Sequence, residues 1–132
     1  MPGDNVTMTS SMHVRPPVWV GHITLDTDRL DETDSFMRMI GMRSIVKNDE
    51  IAVLELRGGT HIVLIPKATI EAQMAGFDLM VEDVDETHRH YGDLGLSVSE
   101  ISRGKIHDWF TIVEPAGNTI KVNSTHVGNL PV

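Results

Sequence analysis

Shifted by 54 positions, the chain repeats itself. Leu30-Asp31-Glu32-Thr33 falls on Val84-Asp85-Glu86-Thr87, and Gly41-Met42 falls on Gly95-Leu96. Farther along the offset grows to 58, where Gly59-Thr60-His61-Ile62-Val63-Leu64 meets Gly117-Asn118-Thr119-Ile120-Lys121-Val122, so the second copy carries four extra residues. A repeat of this length is one supersecondary unit, and two copies are too few for a solenoid, which needs at least about three. A chain of 132 residues has room for one core but not two independent ones. The repeat therefore predicts a pseudo-symmetric pair of units in one domain.

Each copy orders its elements alike. Residues 18–25 (VWVGHITL) are rich in β-branched and apolar side chains and predict a strand. A helix follows, with Asp28 as its N-cap, Leu30, Thr33, Phe36, Met37 and Ile40 at helical spacing, and Gly41 at its end. Residues 42–47, 50–57 and 60–66 read as three short strands, separated by Asn48-Asp49 and Gly58-Gly59 at turn positions. The second copy has a strand over 77–82 and a helix over 84–94, with Asp83 and Glu86 as a capping pair. Strands over 96–102, 106–113 and 118–124 complete it, the last two joined by the turn at 114–118. The reading is an α+β fold of two βαβββ modules, 18–66 and 76–124, joined by a linker at 67–75. Residues 1–17 and 125–132 read as loosely held tails.

Charge and composition exclude several roles. With 19 acidic residues against 11 Lys and Arg, the formal charge of −8 opposes nucleic acid, whose binding depends on neutralising phosphates. A cationic ligand suits it better, and the same charge also serves solubility. There is no cysteine, hence no disulfide, thiolate nucleophile or thiolate-bound zinc, and a metal would need His, carboxylate or amide ligands. No run approaches the roughly 20 apolar residues that span a bilayer, and the first residues lack the basic start and apolar stretch of a secretory signal. The expectation is a soluble, cytoplasmic protein with no membrane partner.

Three stretches resemble the vicinal-oxygen-chelate superfamily: His22-Ile23-Thr24-Leu25 leading into a helix with Ser35-Phe36-Met37-Arg38, Val81-Glu82-Asp83-Val84-Asp85, and Glu114-Pro115-Ala116-Gly117-Asn118-Thr119-Ile120. The last matches that family's acidic-Pro-x-Gly-Asn turn before its final strand. This is the fold of lactoylglutathione lyase, extradiol dioxygenases and bleomycin-resistance proteins. The resemblance implies paired modules forming a cupped mixed sheet around a ligand cleft, commonly in a homodimer. It also implies four metal-ligand positions, which fall here on His22, Val63, Gly76 and Lys121. The repeat pairs the same positions, His22 with Gly76 and Val63 with Lys121.

Only His22 of the four is a conventional ligand, and Lys121 puts a cation where the family has a carboxylate. No metal is favoured, and catalytic residues are left unassigned. His61, two residues before Val63, shares its strand face and keeps open a site for Fe, Mn, Zn or Ni built on His22 and His61. Such a site needs a carboxylate, with Asp78 and Glu55 as candidates and the direction of Glu55 open. Lys121 is expected to pair with Asp78 or to anchor an anion. His88 and His90 are expected on the helix surface, while His107 and Trp109 share a strand face whose direction is open. The expected function is binding of a small molecule in a cleft formed by His22, His61, Val63, Asp78 and Lys121, without the usual metal. The alternative is a divergent metal-dependent lyase, isomerase or dioxygenase using His22 and His61.

Overall fold

The computed structural model describes residues 13–132; the first twelve residues of the expected N-terminal tail lie outside the described part. The elements are β1 (His22–Thr27), α1 (Leu30–Met39), β2 (Arg43–Lys47), β3 (Ala52–Glu55) and β4 (His61–Pro66), then β5 (Met74–Val81), α2 (Val84–Asp93), β6 (Ser97–Val98), β7 (Trp109–Val113) and β8 (Thr119–Ser124). They form two four-stranded sheets in the orders β1-β4-β3-β2 and β5-β8-β7-β6. Each sheet is mixed, because β1 runs parallel to β4, and β5 to β8, while the other neighbours are antiparallel. The fold is α+β with two like modules, and the ladders carry the repeat into three dimensions. Thr24 faces Val63 as Asp78 faces Lys121, and Glu55 faces His61 as Val113 faces Thr119. Among the described residues no helix is long and apolar enough to cross a membrane.

Strand alternation decides which face is core. Ala52, Leu54, Ile62 and Leu64 in the first module, and Phe110, Ile112, Ile120 and Val122 in the second, are fully buried beneath Phe36, Met37, Val84 and Tyr91 of the helices. Burying each large apolar side chain contributes about 1.5–3 kcal/mol. The residues between them, including Val53, Glu55, His61, Val63, Trp109, Thr111 and Lys121, point the other way and are only half-buried. The helix-free faces are thus left for function.

Several element boundaries differ from those expected. β1 starts at His22 rather than at residue 18, because its partner β4 starts at His61, whose N–H donates to the Gly21 carbonyl at 2.9 Å. The chain ahead of His61 turns away through Gly58 and Gly59, at φ 84° and 92°, so Val18, Trp19 and Val20 have no strand to pair with and stay exposed. Asp28 does not cap α1. Arg29 occupies that position without a side-chain cap bond, and the Thr27 hydroxyl accepts from the Arg29 N–H at 2.9 Å. The expected strand over 96–102 shrinks to Ser97–Val98. His88 is half-buried rather than a surface residue, and its Nε2–H donates to the Ser99 carbonyl at 2.7 Å. The Thr111 N–H bonds instead to the Ser99 hydroxyl at 2.8 Å, which interrupts the ladder until Ser102 pairs with Trp109. β7 starts at Trp109 rather than 106, since Arg103 and Gly104 bond to the Asp108 carboxylate and round off a loop there.

The α2 cap is as expected on one side only: Asp83 Oδ1 accepts from the Glu86 N–H at 3.0 Å, but Glu86 turns to Arg89 instead of reaching back. Asp83→Ala should therefore cost about 1 kcal/mol, read as a lowered urea midpoint with an unchanged slope. An effect below about 0.3 kcal/mol would show that this cap is idle.

Candidate functional site

One lateral row crosses the helix-free face of the first sheet. His22 on β1 pairs in register with His61 on β4, His61 with Glu55 on β3, and Glu55 with Arg43 on β2. The two imidazole rings stand 5.8 Å apart between centroids. His61 Nε2 lies 3.1 Å from Glu55 Oε2, and the Arg43 guanidinium bonds to the other carboxylate oxygen. Glu55 thus points at His61, which strand alternation places directly beside it once the register is known.

Arg43 is the main reason that the Glu55 carboxyl is held below its ordinary range; burial opposes the shift and His61 adds to it. A depressed carboxylate contributes stability above its unfolded-state pKa and loses it as pH falls through the folded-state value. Glu55→Gln should accordingly flatten the acid side of the stability–pH curve while leaving the neutral-to-alkaline side parallel to that of the unaltered protein. Parallel curves throughout the acid range would remove Glu55 from the titration.

In the second sheet Lys121 lies between Asp78 and Thr111 in register. The expected ion pair with Asp78 does not form. Lys121 Nζ sits 4.3 Å from the centroid of the Trp109 ring, with which it makes a cation–π contact. The long aliphatic stem lets the ammonium reach past its opposite neighbour to the indole face without the full desolvation cost of a buried ion pair. Trp109 therefore faces the helix-free side. His107 precedes β7 and stands beside His126, at 5.7 Å between ring centroids, away from the row.

A metal held by two imidazoles and two carboxylates does not fit these residues. Val63, half-buried opposite Thr24, and Gly76 bring no donor, and Lys121 brings a cation. His61 already has its Nε2 engaged with Glu55. Among the described residues no three His, Asp or Glu side chains converge as a metal site requires.

A cavity of about 500 Å³ opens where β1 and β5 meet the segment between β4 and β5, with Thr24, Asp26, Lys67, Glu71, Gly76 and Asn118 on its walls. A Cβ added at Gly76 would meet nothing within 4 Å. Asn118 fixes two of the walls: its Nδ2 donates to the Asp26 carbonyl at 3.1 Å, and its Oδ1 accepts from the Gln73 N–H at 3.4 Å. Of these residues only Gly76 is an expected site position, while Thr24 and Asn118 belong to the stretches that carry the resemblance. Asp26 was within reach, being on the His22 and Thr24 face by alternation, but nothing in the composition of residues 67–73 points to a cavity wall.

No family profile matches the sequence, and no curated protein sequence matches it. Solved structures do. A lactoylglutathione lyase from Agrobacterium tumefaciens superposes with a TM-score of 0.72 at 20% identity, over 85% of this chain and 97% of that one. A bleomycin resistance determinant encoded on the transposon Tn5 gives 0.68 at 14% identity, over 83% and 100%. An antibiotic binding protein from a Streptomyces species gives 0.66 at 15%, over 84% and 98%. The chain therefore has the vicinal-oxygen-chelate fold, that of the glyoxalase, bleomycin resistance and dioxygenase proteins.

Proposed function

We propose that this protein binds a small molecule between its two sheets and does so without the metal centre found in many proteins of this fold. One observation carries the reading: the Lys121 ammonium stands over Trp109 at the position where the resemblance calls for a carboxylate ligand. A fixed cation there opposes a divalent ion. The similar structures include a bleomycin resistance determinant and an antibiotic binding protein, which suits a binding role. His22, His61, Val63, Asp78 and Lys121 would face the ligand, in a homodimeric, cytoplasmic protein.

Elemental analysis of protein purified without a His tag tests this. The expected content is far below one Fe, Mn, Zn or Ni per chain, and ligand binding should persist in a chelator. One ion per chain, lost in His22→Ala, would overturn it. A second reading, a metal-dependent lyase, isomerase or dioxygenase using His22 and His61, is favoured by the in-register pairing of those two residues with rings 5.8 Å apart. The same measurement decides between them.

A further inference from the structure

We propose that the cavity between β1, β5 and the segment joining the modules takes a small hydroxylated amine, the ammonium seated by Asp26 and Glu71. The cavity walls include none of His22, His61, Val63, Asp78 and Lys121, so this is a second site, apart from the one that the binding reading above uses. The cavity, at about 500 Å³, is within the size of small-molecule sites. Its walls carry two carboxylates, Asp26 and Glu71, against one ammonium, Lys67. None of the three has an ion-pair partner among the described residues.

The lining selects by charge and by polarity. A carboxylate or phosphate ligand would meet more like charge than opposite charge. An apolar ligand would strip water from carboxylates and from the Thr24 and Thr69 hydroxyls and return no hydrogen bond. An ammonium flanked by hydroxyls answers both, with charge-assisted bonds to the acids and ordinary ones to the threonines. Asp26 is mounted for this: its backbone carbonyl is held by Asn118 Nδ2, so its carboxylate projects from a fixed point on β1. Gly76 leaves the opposite wall without a side chain.

Amide chemical shifts can follow the binding. Glucosamine, N-acetylglucosamine and glucuronate are titrated separately into the labelled full-length chain, and shifts at residues 24–26 and 69–76 are read. Glucosamine alone should move these signals saturably, and Asp26→Asn with Glu71→Gln should weaken it about tenfold or more in a protein whose other signals are unchanged. Equal shifts from N-acetylglucosamine or glucuronate would overturn the amine assignment and leave the cavity as a binding site. If none of the three moves these amides, the amine assignment falls. A mixed set of neutral and acidic fragments then judges the cavity itself: hits at these residues keep it as a site for another ligand class, and none there removes the site altogether.

Discussion

Glu114→Ala is expected to cost about 3–5 kcal/mol of folding stability, the size seen when a buried, hydrogen-bonded charge network loses one member. Glu114 is 1% exposed. Its Oε2 accepts from the Thr33 hydroxyl at 2.9 Å and the Ala116 N–H at 3.0 Å, and its Oε1 from the Asn118 N–H at 3.0 Å and side-chain Nδ2 at 2.8 Å. Because Thr33 gives its proton to Glu114, the Thr27 hydroxyl must donate to Thr33 across their 2.8 Å contact. Every donor in this chain points toward one carboxylate, which joins α1 of the first module to the turn before β8 of the second. Truncation takes the acceptor from the Thr33 hydroxyl and the Ala116 and Asn118 N–H groups and leaves Asn118 Nδ2 only the Asp26 carbonyl, each buried donor so orphaned carrying a desolvation cost of about 1–3 kcal/mol that relaxation only partly relieves. Glu114→Gln should lose less but still measurably, since its amide nitrogen would face donors. Urea unfolding of both variants reads the effect. A loss under about 1 kcal/mol for Glu114→Ala would mean that the network is not what ties the modules together.

That same turn shows what the sequence made legible. Glu114-Pro115-Ala116-Gly117-Asn118 could be read as a turn, and Gly117 does take a left-handed φ of 95°, yet the role of Glu114 depends on Thr33, distant in the chain and invisible to local pattern. The modules were legible because the repeat and the alternation of apolar residues are properties of neighbouring positions. Boundaries failed where a partner decided them: β1 is short because β4 is, and β6 is short because His88 takes the Ser99 carbonyl. The candidate site divided in the same way. The face of His61 followed from alternation, whereas the direction of Glu55 needed the register to β4. Lys121 meets the Trp109 ring rather than Asp78, since an opposite charge is easily found in sequence and an indole two residues out of register is not. Asp26 and Glu71 line one cavity only because the segment between β4 and β5 folds back over β1 and β5.

Returning three donors should restore a metal site: Val63→Glu, Gly76→His and Lys121→Glu together are expected to take the protein from no specific affinity for Ni²⁺ or Zn²⁺ to stoichiometric binding. With His22 the variant would hold two imidazoles and two carboxylates at the four positions that the resemblance and the repeat both select. The backbone permits the change, since a Cβ at Gly76 meets nothing within 4 Å and Val63 and Lys121 are only half-buried. Without metal the variant should be less stable than the parent. The new carboxylate at position 121 lies beside Asp78 in register, so like charges face each other, and the Lys121 contact with Trp109 is gone. Ligand binding to the folded state alone then gives a readout independent of any activity: free metal at a hundredfold excess over Kd adds about 2.7 kcal/mol, or roughly 10 °C in Tm. The parent should gain nothing, and adding His22→Ala to the variant should abolish the gain. A folded variant that ignores metal would show that the four positions do not converge on one point, so the loss of donors would no longer explain the parent. A parent stabilised as strongly as the variant would place a metal on other residues, with His22, His61 and Glu55 the first to be replaced in turn.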